Sequence, residues 1–150
     1  MLGELNELQI DHLLLSQFVG RIGCTDGKNP YIVPVTYIYD GGYIIGQTKE
    51  GLKLDIMRKN PNVCFEVDAM TNMANWQSAV LTGTFEELKG EEANAARKYM
   101  FNHMWPLLTG STIHAHEHEV SISAVDDMNR VKPIMYRIKI NEKTGRFEKQ

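Results

Sequence analysis

Cysteine is scarce in this chain: Cys24 and Cys64 are the only two among 150 residues. Both sit inside apolar, strand-like runs. A disulfide framework is therefore not what organises the fold, and buried free thiols in a cytoplasmic protein are expected. Long apolar runs are missing too. None approaches the ~20 residues that cross a bilayer, so no membrane partner is expected. The opening Met1-Leu2-Gly3-Glu4-Leu5 lacks the basic start and long apolar centre of a secretory signal. Basic residues do not predominate: 16 Lys and Arg against 19 Asp and Glu leave a net charge of -3. That argues against a nucleic-acid binder working through a broad basic surface. No Gly-x-Ser-x-Gly, Walker loop or dinucleotide fingerprint is present, and no catalytic side chain is nominated. No repeat, low-complexity tract or linker divides the chain, so one domain over residues 1–150 is expected.

What is present reads as short strands with few helices, which suggests an antiparallel barrel. Asn6 can cap a first helix running to Ser16, with Gln9 completing a capping box and Leu5 and Ile10 at staple spacing. Phe18–Cys24 reads as a strand, and Asp26-Gly27 marks a hairpin turn. Tyr31–Tyr39 is the next strand, with Asp40-Gly41-Gly42 turning into Tyr43–Gln47. A helix over about Gly51–Asn60 stops at Pro61, and Asn62–Asp68 is again a strand. Ala69–Asn75 is expected as a loop and Trp76–Leu88 as a long strand. Within that strand Gly83 marks a bulge or a close approach. Gly90–Met104 reads as a helix ended by Trp105-Pro106. Glu119–Val125 and Lys132–Ile140 close the sheet, and Thr144-Gly145-Arg146 is expected as a turn before a polar tail.

Two features carry chemistry. Pro34 lies within an apolar strand, where it has no N–H for a ladder, so it belongs at an edge or bulge. Backbone groups at Val35 and Thr36 can then meet a planar ring with alternating donors and acceptors. Secondly, Thr48 to Lys53 joins a strand end to a helix start. Backbone N–H groups, the Thr48 hydroxyl and the Lys53 ammonium together suit a phosphate.

The run GRIGCTDGKNPYIVPVTYIYDGGYIIGQTKEGLKLDIMRKNPNVCFEVD, followed by NWQSAVLTGTFEEL, resembles the pyridoxamine 5'-phosphate oxidase-like FMN-binding split barrels. It is closest to the branch with the nitroimidazole-resistance flavoproteins. The similarity extends from about Asn6 to Phe147. It implies a mainly β fold, a split β-barrel of antiparallel strands with flanking helices. It also implies FMN as cofactor and a homodimer with two flavins at its interface. Val35, Thr36 and Tyr37 would meet the ring's pyrimidine edge, and Ile45 and Gly46 would lie near its reactive face. Thr48, Gly51 and Lys53 would hold the phosphate. Trp76, Gln77 and Ser78 would reach the flavin across the dimer.

Two positions depart from the family pattern. Leu52 stands where arginine is frequent, removing one charge-assisted phosphate contact that Lys49 or Arg58 could replace. Ile45 stands where the nitroimidazole-resistance proteins commonly carry histidine, and isoleucine relays no proton. The first functional reading is an FMN-dependent oxidoreductase acting on a small aromatic or nitro-aromatic substrate, with a nicotinamide cofactor or another reductant as electron source. The alternatives are a flavin carrier or sensor without turnover, and a haem-handling relative using His114, His116 or His118. Those histidines would share one face of a strand. No further ligand beside them completes a metal site, so no metal is expected.

Overall fold

The computed structural model describes residues 1–108 and 132–150. In chain order the elements are β1 (Leu2–Glu4), α1 (Glu7–Ser16), β2 (Val19–Thr25), β3 (Pro30–Thr36), β4 (Ile38–Tyr39) and β5 (Tyr43–Thr48). They continue with α2 (Leu52–Lys59), β6 (Asn62–Asn72), β7 (Asn75–Glu87), α3 (Gly90–Leu108) and β8 (Ile134–Glu148). Every strand pairing among the described residues is antiparallel.

The ladder order is β3-β2-β6-β7-β8-β5-β4, with β1 paired to β8. Its two ends, β3 and β4, are consecutive in sequence and joined by Tyr37 alone. The chain therefore passes from one edge of the sheet to the other within a single residue, and the sheet rolls into a barrel split between those edges. The continuous Tyr31–Tyr39 strand expected from sequence is broken here. The reason is visible at Tyr37: its N–H donates to Phe18 O at 3.1 Å and its hydroxyl to Leu14 O at 2.6 Å. Its ring also lies edge-on to Phe65 in the core.

Inside the barrel, alternate residues of each strand meet: Ile22 and Cys24 from β2, Ile44 from β5, Val63, Phe65 and Val67 from β6, and Leu81 and Phe85 from β7. Two-residue alternation dictates this division of faces. It also puts Cys64 outside, beside buried Val63 and Phe65, so one of the two expected buried thiols is exposed; both are free. Helix α1 closes one end of the barrel. Asn6 accepts from Gln9 N–H while Gln9 Oε1 accepts from Asn6 N–H, both at 2.9 Å, completing the capping box. Leu5 and Ile10 are both buried, as the staple requires. A second apolar cluster, Ile45, Leu88, Ala93, Met100 and Met135, seats α3 on the outer face of β5 and β8.

Three boundaries differ from the sequence reading. Ala69–Asn75 is not a loop, because β6 and β7 run on to a tight hairpin with a register shift between Met70 and Asn72. Thr144-Gly145-Arg146 is not a turn but lies within β8. Gly145 is there because α1 crosses at close range: an added Cβ would lie 2.9 Å from both Ile10 and Leu5. Leu5 N–H bonds Gly145 O at 2.9 Å. Helix α3 continues past Pro106 to Leu108; a proline in a last turn removes one intrahelical bond without ending the helix at once. Gly83 does mark an irregularity, since the β7–β8 register shifts between Thr82 and Gly83. The strand expected over Glu119–Val125, with His114, His116 and His118, lies outside the described residues.

Candidate functional site

Pro34 stands on the edge strand β3, which pairs on one side with β2 alone. The bond from Tyr37 N–H to Phe18 O identifies the hydrogen-bonded pairs of this ladder. By alternation, the backbone groups of Val35 turn toward β2, whereas those of Pro34 and Thr36 turn toward the open edge. Proline thus sits where its missing N–H leaves no ladder bond unmade. Of the three strand residues expected to meet a ring, Thr36 is the one that aims both an N–H and a C=O outward. Val35 and Tyr37 are buried and support it from behind.

The corner between β5 and α2 holds Thr48, Lys49, Glu50, Gly51, Leu52 and Lys53. Gly51 is the N-cap of α2 and supplies no side-chain bond, so the first N–H groups of the helix have no side-chain cap. Thr48 Oγ1 donates to Lys49 O at 3.0 Å and stiffens the turn. Lys53 is half-buried, and burial pushes its ammonium pKa down from the usual lysine value; the Cys24 thiol nearby acts the other way. Lys143, the other half-buried lysine among the described residues, has Asp11 at 2.9 Å. Lys53 forms no salt bridge among the described residues. It is a partly desolvated cation with no anion, beside an uncapped helix start. Those donors match a phosphate.

Arg58, a suggested substitute for the missing arginine, is committed elsewhere. Its guanidinium binds both Glu50 oxygens, at 2.9 and 3.0 Å, and both Glu87 oxygens, at 2.7 and 3.2 Å. It ties the corner to the end of β7. Sequence gave no local signal for this clamp, because Glu87 is 29 residues away and Glu50 lies at no helical spacing from Arg58. Leu52 is 59% exposed at the first helical position.

Ile45 and Gly46 occupy opposite faces of β5. The Ile45 side chain packs into the cluster beneath α3. Gly46 faces inward against Tyr136. The Tyr136 hydroxyl is buried and has no hydrogen-bond partner among the described residues, and burial pushes its pKa up.

The corner lies toward the Tyr31 end of β3, away from Thr36. Lys53 is near Cys24, which pairs with Tyr31, five residues from Thr36 on β3. At the usual strand rise Thr36 and Tyr31 are about 17 Å apart, more than a sugar-alcohol chain alone spans and of the order of a planar ring, its sugar-alcohol chain and a phosphate laid end to end. Trp76, Gln77 and Ser78 lie elsewhere. Ser78 pairs with Asp68; extending the β2–β6 register two residues beyond Arg21–Glu66 aligns Asp68 with Val19, and Val19 pairs with Thr36. Ser78 is thus three strands across from Thr36, about 14 Å at ordinary strand spacing. Trp76 Nε1 instead donates to Glu148 at 3.1 Å. Within one chain the structure does not bring these three residues to the Thr36 edge.

An antiparallel barrel split at one edge, with a cationic strand-to-helix corner beside the split, defines a class of protein that comparison identifies. The family model described as Pyridoxamine 5'-phosphate oxidase matches residues 6–147, and the chain belongs to that family. An uncharacterised protein of Rhizobium meliloti (strain 1021) is 32% identical over 90 residues; the match spans 60% of this chain and 58% of that relative's length. Among solved structures, a FAD-binding protein of Mesorhizobium loti is similar with a TM-score of 0.77 at 24% identity, over 100% of this chain and 98% of that one. The FAD-binding protein of Mycobacterium smegmatis superposes with a TM-score of 0.62 at 20% identity, over 97% and 98% of the two chains. A candidate 5-nitroimidazole antibiotic resistance protein of Bacteroides thetaiotaomicron has a TM-score of 0.70 at 20% identity, over 98% and 87%. These likenesses share the split barrel. No helix among the described residues is long and apolar enough to cross a membrane.

Proposed function

We propose that the chain binds a flavin nucleotide between the open edge at Thr36 and the corner at Lys53. FMN, the cofactor that the resemblance implies, is the smallest form that reaches both. The observation that carries this reading is Lys53, a half-buried lysine without a carboxylate partner among the described residues, beside an uncapped helix start. A bound flavin would supply the redox chemistry. The chain's own part is to pair the ring edge with Thr36 N–H and C=O, neutralise the phosphate with Lys53, and back the site with Val35 and Tyr37. Trp76, Gln77 and Ser78 join the site only in a homodimer, in which a second copy presents them to the ring. Both thiols are free, which suits the cytoplasm.

On this reading the protein is an oxidoreductase that takes electrons from a nicotinamide and passes them to a small aromatic or nitro-aromatic acceptor. A second reading, a flavin carrier or sensor without turnover, is favoured by Ile45, whose side chain lies in an apolar cluster and can move no proton. Steady-state oxidation of reduced nicotinamide with a panel of acceptors separates the two. Turnover supports the oxidoreductase, and a zero rate across acceptors with flavin bound supports the carrier. Lys53→Glu tests the site itself: the variant is expected to fold and pair as before but to retain no flavin. Full flavin retention would reject the phosphate assignment.

A further inference from the structure

Thr36 and Ser78 stand at the two ends of one row on the outer face of the barrel, with Val19 and Asp68 between them. The next row runs Pro34, Arg21, Glu66 and Val80 across the same four strands, β3, β2, β6 and β7. These rows are open and partly apolar: Val19 is 45% exposed and Val80 41%. Their charged residues are Arg21, Glu66 and Asp68. Arg21 engages both carboxylates through Nη1 alone, at 3.4 and 3.0 Å, so its other N–H groups have no partner among the described residues.

A two-fold interface is self-complementary, so each contact in it is made twice, once on either side of the axis. Where the partner's Ser78 meets the ring held at Thr36, the reading on which this inference rests, two facing barrels have their axis midway between Thr36 and Ser78. The row crosses the strands, so that axis runs lengthwise between β2 and β6. Residues of β2 then fall opposite residues of β6 in the same row. Arg21 falls opposite the partner's Glu66, and Glu66 opposite the partner's Arg21, while Pro34 falls opposite the partner's Val80. The first match joins opposite charges and the second joins apolar surfaces. Facing sheets lie about 10 Å apart, a gap that an arginine and a glutamate side chain span together. The outer face of a barrel is convex, so two copies touch along β2 and β6 and diverge toward β3 and β7. A groove is left on either side, between Thr36 and the partner's Ser78, with room for a planar ring. We infer that a second copy of this chain docks along β2 and β6, each Arg21 paired with the Glu66 of the other copy, with a flavin groove on either side of that seam.

The test is sedimentation velocity of the full chain incubated with FMN or FAD, with flavin absorbance recorded in the same run. The parent is expected to sediment as a dimer. Arg21→Glu sets like charges against the partner's Glu66, and Glu66→Arg does so against the partner's Arg21. Each alone is expected to raise the dimer dissociation constant at least about a hundredfold, because the repulsion occurs twice per dimer. Mixed in equal amounts, the two variants are expected to form a one-to-one dimer, since every opposed pair then joins opposite charges. Pairing confined to one chain gives no such rescue. Should the reversals disturb folding, read by circular dichroism, Arg21→Gln carries the test and should weaken the dimer about tenfold. A monomeric parent, a single reversal or an Arg21→Gln variant that dimerises like the parent, or a mixture that stays monomeric overturns the inference. A dimer that obeys the charge swap but takes up neither nucleotide leaves the seam standing and rejects the flavin reading.

Discussion

Gly46 and Tyr136 face each other across the β5–β8 ladder. A Cβ added at Gly46 would meet Tyr136 Oη and lie 2.5 Å from Cζ. The ring is fully buried and cannot swing aside. Gly46→Ala is therefore expected to destabilise the protein by about 1–3 kcal/mol, the usual cost of overpacking a filled core. Gly42→Ala meets nothing within 4 Å and should stay within about 0.5 kcal/mol of the parent. Urea unfolding of the two variants side by side checks this.

The same tyrosine carries a second prediction. Its buried hydroxyl has no partner among the described residues, and an unsatisfied buried polar group costs about 1–3 kcal/mol. Tyr136→Phe keeps the ring and removes the orphan oxygen, so its melting temperature should rise. A fall would mean that the hydroxyl has a partner in solution.

On the outer face of the sheet, Arg21 Nη1 lies 3.4 Å from Glu66 and 3.0 Å from Asp68. Burial first, and Asp68 second, push the Glu66 carboxyl from 4.5 up to about 7, with Arg21 pulling the other way. A carboxyl raised in the folded state contributes stability that is complete below about pH 4.5 and is lost as pH rises through about 7. Glu66→Gln carries no such charge. The variant should match the parent in melting temperature at pH 4 and exceed it at pH 8, the difference opening between those limits.

Asp11 on α1 accepts from Tyr39 at 2.6 Å and from Lys143 at 2.9 Å, tying the helix to β4 and β8. The Tyr39 hydroxyl first, and Lys143 second, hold the carboxyl below its ordinary value of 3.8. A lowered carboxylate contributes stability that is present above that value and lost as pH falls through its folded pKa. Asp11→Asn should cost about 1–2 kcal/mol at pH 7 and flatten the acid limb of the stability curve. A double-mutant cycle with Lys143→Met isolates the pair.

Features of this fold that depend on neighbouring residues are legible in the sequence. The Asn6–Gln9 capping box, the edge position of Pro34 and the irregularity at Gly83 each depend on a few neighbouring residues. The features that escaped depend on partners far along the chain. Tyr37 ends a strand because Phe18 and Leu14 hold it. Gly145 sits in a strand because Leu5 and Ile10 cross it. Arg58 is unavailable to a ligand because Glu87 reaches it from the end of β7. The corner at Lys53 was legible because its residues are contiguous. The outward aim of Thr36, and not Val35, needed the pairing register with β2.

The central claim is that the split edge at Thr36 and the corner at Lys53 hold one flavin between them. The most direct measurement is the visible absorption of the purified protein, before and after incubation with FMN or FAD and removal of free ligand. The account predicts a protein-bound flavin spectrum at one flavin per chain, absent from Lys53→Glu. Protein that stays colourless with both nucleotides, or equal flavin loading of Lys53→Glu, would contradict it.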